Sequence, residues 1–467
     1  MSNKKSWFEV STDGLKSLQA GKPKVYVPRE LIQNAWDEKI TKCEVEITYR
    51  EPLSLIRVVD DSPKGYKYIE DSYTLFRHSE KRGDPNKRGR FNLGEKQALC
   101  VCEEGKIITT KGVVTFNKDG RHFSKKGIEK GSIIEMKIEL TREEYEDMVE
   151  IISSYLPPKG IVYSVNGKAI SHKKPFQKFK AQLATEIESN GIFKGTRRIT
   201  EVHVHKADKT YLYEMGIPVM EIDCDYSIDV QQKIPLSVDR ESVKQGYLKD
   251  IYAEVLNHTF EDLDKDHVSE TWVRTGMSDD RISDDAVKNV VNKRFGEKVC
   301  IANPNDPYSK DKALTKGYNL VYGREMSKSE WDNIKRAGAM KSSTSLFKPN
   351  FTSEGKYISP NKNQRRVRDY YKKLAKKLLG FDIQIEFWDA PVDILADYGS
   401  RKFRMFVNKL PRNFFNSISV EVDSLWIHEV AHEYGHHTDS SYIDACTSLG
   451  AKMKRLALKN PEFFNID

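Results

Sequence analysis

The sequence predicts an α+β multidomain protein, and three observations carry that expectation. Its 467 residues correspond to about three domains at the usual domain size. Hydrophobic residues make up 38% and charged residues 31%, enough apolar content for packed cores and too much for a disordered chain. Strand-like alternation and helix-like periodicity interleave along the whole length, with no internal repeat and no long low-complexity stretch. The net charge of +8, from 77 basic and 69 acidic residues, is mild over this length. It permits nucleic acid as a partner without demanding it. No apolar run approaches the ~18 residues of a membrane span, so no membrane partner is expected. The opening Met-Ser-Asn-Lys-Lys leads into polar sequence without a signal h-region. Six cysteines, at 43, 100, 102, 224, 300 and 446, lack a CxxC pair. A disulfide framework is therefore not expected, and a reducing, cytoplasmic compartment is. Of 11 histidines, four fall between 428 and 437.

The elements follow in order. Residues 28–39 read as a helix with Pro28 near its start, and 43–49 and 53–59 alternate like strands. The stretch 79–94 is polar, basic and glycine-bearing, which predicts a loop. Strands resume at 105–115 and 131–138. A helix over 141–155 ends at the turn Pro157-Pro158-Lys159-Gly160. Strands are expected at 161–165, 201–205, 211–213 and 217–222, then a helix at 240–258. Residues 259–345 mix helices with strands and carry no catalytic pattern; 302–307 reads as a loop of turn formers. The last hundred residues begin with a basic helix at 364–379, where interleaved arginines and tyrosines read as a solvated face, with nucleic-acid contact as the sharper option. Strands at 383–388 and 403–408 follow, the second edge-like. A helix over 420–434 and another after 440 complete the chain.

On the first helix Glu30, Asn34 and Asp37 stand at i, i+4 and i+7 and share one face. An acid there suits water orientation, and an amide oxygen suits Mg²⁺. The strand at 53–59 runs into an acidic turn, Asp60-Asp61-Ser62-Pro63-Lys64-Gly65, whose carboxylate suits a base amino group. Gly89 and Gly94 then flank a helix start followed by Lys96, a pattern of backbone N–H groups and charge that suits phosphate. Singly these are weak signals, but their order is specific.

Together they resemble the GHKL ATPase superfamily of gyrase, MutL, histidine kinases and the ninety-kilodalton heat-shock chaperone, over about residues 5–165. The resemblance implies a Bergerat-type α/β sandwich binding ATP and Mg²⁺. It makes Glu30 the base for water, Asn34 the Mg²⁺ ligand and Asp37 the third member of the N-box. It also makes Asp60 the adenine contact and Gly65 the glycine of the same DxGxG box, Gly89 and Gly94 the lid glycines of the GxxGxG box, and Gly131-Ser132 the last box. Ser62, Lys64 and Asn92 depart from the family pattern, and Asp61 rivals Asp60. Further on, Gln231-Gln232-Lys233 resembles the loop that a βαβ transducer domain sends to the γ-phosphate, which implies that Lys233 senses ATP.

The second constellation is His428-Glu429-Val-Ala-His432, an HExxH motif. Chance would place it in this composition well under ~0.1 times. Two histidines one helical turn apart suit zinc, with Glu429 as the general base of a metallopeptidase. Asp423 or Ser424 is expected to cap the helix and Gly435 to end it. Thr438 stands at the last position of HExxHxxGxxH, so the third ligand is assigned to His437, with Asp444 and then Asp439 as alternatives. His436 is read as a surface neighbour, and Tyr442 as an oxyanion stabiliser or a core residue. The helix and strands before the motif resemble the minimal zincin fold. The tail is similar to that of phage and bacterial proteins that pair a GHKL module with a zincin-like end.

These resemblances imply four segments: a GHKL domain at 1–165, a transducer at 166–258, a small α/β connector at 259–345 and a zincin-like α+β domain at 346–467. The function they imply is an ATP-regulated zinc metallopeptidase acting on a protein or peptide, with ATP-dependent homodimer closure controlling the Zn²⁺ site. The alternative is an ATP-driven clamp or chaperone-like protein whose metal is structural.

Overall fold

The computed structural model describes residues 10–19, 21–77, 81–90, 92–189, 192–237, 242–303, 306–347, 355–392, 394–435, 437 and 439–464. The chain has a mixed α/β architecture with four sheets. It divides into two compact units, Met1–Leu263 with Ser269–Ile282, and Asp264–Val268 with Ser283–Asp467. Each unit contains two of the sheets. Among the described residues no helix is long and apolar enough to cross a membrane.

In the first unit an eight-stranded sheet runs, edge to edge, through Gly120–Ser124, Gly112–Asn117, Glu104–Thr109, Ser132–Ile138, Ser54–Asp60, Lys42–Thr48, Val162–Val165 and Lys168–Ile170. Lys42–Thr48 pairs parallel with Val162–Val165, and the other neighbours are antiparallel. One face is apolar because alternate residues turn inward: Val45, Ile47, Ile56, Val58, Ile134 and Met136 are buried. They form one core with Leu31, Ile32, Ala35 and Trp36 of the helix Tyr26–Trp36, and with Met148 and Ile152 of Arg142–Ser153. Thr141 caps the latter in a capping box with Glu144. The single expected strand at 105–115 is a hairpin of two, since Gly112, with φ +137°, turns the chain back.

The second sheet of this unit runs in the order Ile217–Glu221, Tyr211–Glu214, Tyr226–Val230, Ile192–Lys206, Gln177–Ser189. Its long hairpin pairs Gln177 with Val204 through to Ser189 with Ile192. Sequence reading marked only 201–205 of it. The alternating buried Phe179, Ala181, Leu183 and Thr185 carry the strand signal, diluted by the lysines and glutamine between them. The strand Tyr226–Val230, buried at every position, also escaped, because full burial removes alternation. The helix Gln245–Thr259 packs on the hairpin and on Thr271–Met277.

The second unit opens with three parallel strands, ordered Asn319–Val321, Val299–Ile301, Lys341–Ser342. Parallel pairing requires crossovers, supplied here by Pro307–Thr315 and Lys328–Ala337. A four-stranded sheet follows, ordered Lys356–Tyr357, Gln384–Asp389, Lys402–Phe406, Ala396–Gly399. The strand expected at the edge is therefore internal, parallel to Gln384–Asp389. The edge is Ala396–Gly399, folded back by Ser400 and Arg401, whose φ values of 52° and 60° make a tight primed turn. Sequence reading passed over it because Ser-Arg is not the usual pair for that turn. The helices Lys362–Leu378, Val420–Val430 and Ser440–Lys459 share a core with the sheet through Tyr371, Leu374, Phe387, Phe403 and Trp426. Tyr371 Oη donates to Val422 O and Tyr370 Oη to Asp423 Oδ1, both at 2.6 Å.

Within the first unit, Arg90 forms a two-pronged ion pair with Glu214, Nη1 to Oε1 at 3.0 Å and Nη2 to Oε2 at 2.5 Å. Both side chains are buried, and Ile234 N also donates to Glu214 at 2.8 Å. Removing one member strands the other charge in the interior. Glu214→Ala is expected to lower unfolding free energy by about 3–5 kcal/mol, read as a shifted urea midpoint; an unshifted midpoint contradicts this.

Candidate functional site

Glu30 and half-buried Asn34 lie on the helix Tyr26–Trp36, and Asp37 is its C-cap. Glu30 is buried against the start of the helix Gly94–Cys100. A Cβ at Gly94 would lie 1.8 Å from Glu30 Oε2, so only glycine permits this approach. Asp37 is saturated by donors. Its Oδ1 accepts from Arg88 N at 3.0 Å and Arg88 Nη1 at 3.1 Å, and its Oδ2 from Gly89 N at 2.7 Å. Arg88 Nη2 reaches Met215 O in the second sheet.

Asp60 ends its strand, and Asp61 begins the turn. Asp61 is spent on Thr41 N, Thr41 Oγ1 and Lys42 N, at 2.8, 2.5 and 2.9 Å. These donors hold its carboxyl below the usual range despite partial burial. Asp60 Oδ1 accepts Ser62 N at 2.9 Å. Burial pushes its carboxyl up to about 6, against hydrogen bonds from Ser62 and the buried Ser132. Of the two aspartates, Asp60 is the more deeply buried. Gly131, with φ +83°, packs so close that a Cβ would stand 2.1 Å from Asp60 O, and Gly65 has φ +55°. Asn92, where the family pattern has glycine, adopts φ +50°, a conformation asparagine tolerates.

Lys96 is buried and donates to Asn92 Oδ1 at 2.9 Å and to Asp71 O, and pairs with Glu95 at 3.8 Å. It ties two loops together in this structure. Lys233, 1% exposed, inserts its ammonium among three carbonyls of the glycine-bearing segment: Lys81 O at 3.0 Å, Arg82 O at 2.9 Å and Gly89 O at 3.0 Å. Its own N–H donates to Pro85 O at 2.7 Å. Burial and nearby Arg90 lower its pKa to about 8, with Glu214 and Asp37 opposing. Three acceptors on one nitrogen require the ammonium form. Basic residues 81–96, read from sequence as a phosphate-binding surface, are largely paired internally: Lys81 with Glu38 at 2.6 Å, Arg88 with Asp37 and Arg90 with Glu214.

In the second unit the HExxH motif straddles the end of the helix Val420–Val430 and the 3₁₀ turn Ala431–Glu433. Ser419, rather than Asp423 or Ser424, caps that helix, and the helix ends before Gly435. His428, His432 and His437 converge, with one ligand atom of each within 4.8 Å of the others. His437 is thus the residue brought to the pair. Asp444 is exposed, and Asp439 pairs with Lys335 at 3.1 Å. His436 and Thr438 lie outside the described residues.

The three imidazoles form a group that could hold a metal ion. His432 Nδ1 meets Gly435 O at 3.2 Å, His428 Nδ1 meets Tyr442 Oη at 2.9 Å, and His437 Nδ1 meets the Asn303 amide at 2.7 Å. Nδ1 of His432 and of His428 thus faces an oxygen, whereas the Asn303 amide nitrogen donates to His437 Nδ1 and places that ring's proton on Nε2. His428 Nε2 and His437 Nε2 are 3.0 Å apart, close to the ~3.3 Å of two nitrogens on one tetrahedral zinc. Burial lowers the His428 pKa and favours its neutral form. Glu429, 7% exposed, has its carboxyl raised well above the usual range by burial, with Asp397 and Asp306 adding to it. Tyr442 also donates to His428 O at 3.1 Å, so its hydroxyl positions a histidine.

Sequence reading missed Asn303 and Asp306, which it placed in a plain loop. Both are buried at the end of the strand Val299–Ile301. Thr344 links them, accepting from Asn303 Nδ2 at 3.0 Å and donating to Asp306 Oδ2 at 2.9 Å. No sequence spacing signals a partner 134 residues from His437.

No family model matches the chain, and no curated protein does. Among solved structures it is similar to the ATPase region of Saccharomyces cerevisiae topoisomerase II, at 14% identity and a TM-score of 0.30, over 42% of this chain and 61% of that one. It is likewise similar to that region bound to ICRF-187 (dexrazoxane), at 15% identity and 0.30, over 42% and 62%. The chain spans less than two thirds of those solved chains, and the reading of the site rests on its own residues.

Replacing Lys233 by methionine would leave three buried carbonyls without their donor, at about 1–3 kcal/mol for an unsatisfied group. Lys233→Met is expected to speed amide hydrogen exchange across 81–90 by roughly tenfold or more. Exchange at the wild-type rate would contradict a latch at this position.

Proposed function

We propose that this chain is an ATP-regulated zinc metallopeptidase, with a GHKL-type nucleotide site in the first unit and a zincin-like site in the second. The observation that carries the reading is the convergence of His428, His432 and His437 beside the buried Glu429. His428, His432 and His437 would hold Zn²⁺, which would supply Lewis-acid polarisation of water and of a peptide carbonyl. Glu429 takes the proton of the attacking water and passes it to the leaving amine. Tyr442 and Asn303 hold His428 and His437 in register. The substrate class is protein or peptide.

In the nucleotide half, Glu30 orients and deprotonates water, Asn34 is the Mg²⁺ ligand, and Asp60 accepts a hydrogen bond from the adenine amino group. Gly65, Gly89, Gly94, Ser132 and Lys96 line or brace the pocket. Lys233 is the γ-phosphate sensor. Its ammonium has three carbonyl acceptors in the lid, so a phosphate competing for it exchanges a lid contact for a nucleotide contact. An ATP-dependent homodimer is the assembly in which that exchange controls access to the peptidase site.

Proteolysis of a broad protein panel tests the first half. Glu429→Gln is expected to lose activity by ~100-fold or more, and Glu30→Ala to lose ATP turnover while still binding ATP. Equal proteolysis by wild type and Glu429→Gln sinks the peptidase reading.

Protonation of Asp60 tests the second. With its carboxyl raised to about 6, it is ionised at pH 7 and gains a proton as the pH falls through that value. The ionised acceptor then declines by up to roughly tenfold per pH unit. ATP affinity is expected to weaken correspondingly between pH 6 and 5, measured by calorimetry, and Asp60→Asn to abolish that dependence.

A further inference from the structure

The second sheet of the first unit gathers two histidines and an aspartate that sequence reading placed only in or beside strands. His203 and His205 share one face of the strand Ile192–Lys206, since residues two apart point the same way. His203 is the cross-strand partner of Asp229 in Tyr226–Val230. One ligand atom from each of His203, His205 and Asp229 lies within 4.8 Å of the other two.

Two of the three are already oriented by neighbours. His203 Nε2 lies 3.1 Å from Glu201 Oε2, which ties one ring nitrogen and leaves the other its lone pair. Asp229 Oδ1 accepts Gly216 N at 2.7 Å, and its Oδ2 accepts Gln231 Nε2 at 2.5 Å. Such outer contacts hold metal ligands in place. His205 is the exception. It is 7% exposed, and its ring nitrogens meet no hydrogen-bond partner among the described residues. A largely buried imidazole within a cluster of donor atoms, with no hydrogen bond to a described residue, suits a ligand.

We propose that His203, His205 and Asp229 bind a divalent transition metal at a site separate from the HExxH cluster. Two imidazoles and one carboxylate suit Zn²⁺, Ni²⁺ or Cu²⁺; Mg²⁺ and Ca²⁺ prefer oxygen throughout. The site sits at the root of the loop Gln231-Gln232-Lys233. Gln231 is bonded to Asp229 itself, and two residues later Lys233 holds the carbonyls of Lys81, Arg82 and Gly89. A metal there stiffens the base of the latch.

The test uses the full chain carrying His428→Ala and His432→Ala, which removes the HExxH pair and makes the result independent of the peptidase reading. Zn²⁺ is added, the protein is dialysed, and bound metal is counted by elemental analysis. One equivalent is expected to remain. Adding His203→Gln, at a ring that is 18% exposed, is expected to weaken Zn²⁺ binding about tenfold or more, with the circular dichroism spectrum unchanged. His205→Ala is expected to do the same. Co²⁺ in place of Zn²⁺ is expected to give visible absorption bands that His203→Gln removes. Absence of a retained equivalent, or retention of full affinity in His203→Gln, overturns the proposal.

Discussion

An irregular segment, 81–90, is held in place by two buried charges that approach it from different elements. The carboxylate of Asp37 gathers the N–H groups of Arg88 and Gly89 from the side of the first helix. The ammonium of Lys233 gathers the carbonyls of Lys81, Arg82 and Gly89 from the side of the second sheet. Neither charge can be buried alone, because desolvating an unpaired ion costs several kcal/mol. Each therefore demands this backbone in this conformation. The two sheets of the first unit are tied through the loop, by Arg88 to Met215 and by Arg90 to Glu214, as well as by direct packing.

The same logic explains the basic residues around the glycines. In composition they look like a surface for phosphate. In the fold most of them meet carboxylates, on Glu38, Asp37 and Glu214, so the segment adds little free positive charge. The net charge of +8 thus says less about partners than its sum suggests. Burial pushes the carboxyl of Asp60 up to about 6, against the hydrogen bonds of Ser62 and Ser132.

The histidine cluster is assembled by a different economy. A helix sets His428, a single 3₁₀ turn adds His432, and His437 lies against both. Each imidazole has its Nδ1 turned to a separate partner: Tyr442 on the last helix, the Gly435 carbonyl, and Asn303 beside a parallel strand. Convergence of the three half-buried rings then follows from backbone placement. Glu429 is buried, with Asp397 and Asp306 near enough to raise its carboxyl further and His428 Nε2 at 4.0 Å.

The sequence by itself determined most elements and the two constellations. Hydrophobic alternation marked the strands of the first sheet, and helical spacing put Glu30 with Asn34 and His428 with His432, because those signals are local. The hairpin Gln177–Ser189 with Ile192–Lys206, whose alternation was masked by charge, and the edge strand Ala396–Gly399 were not read. Only the tertiary structure decided that Asp60 is more buried than Asp61, that Lys233 is sheathed by the carbonyls of Lys81, Arg82 and Gly89, and that His437 rather than Asp444 lies beside the histidine pair. It alone brought Asn303 to His437 and gave His205 the company of His203 and Asp229. Those choices depend on contacts between residues far apart in the chain, and on which buried polar groups find partners, and no local pattern encodes either.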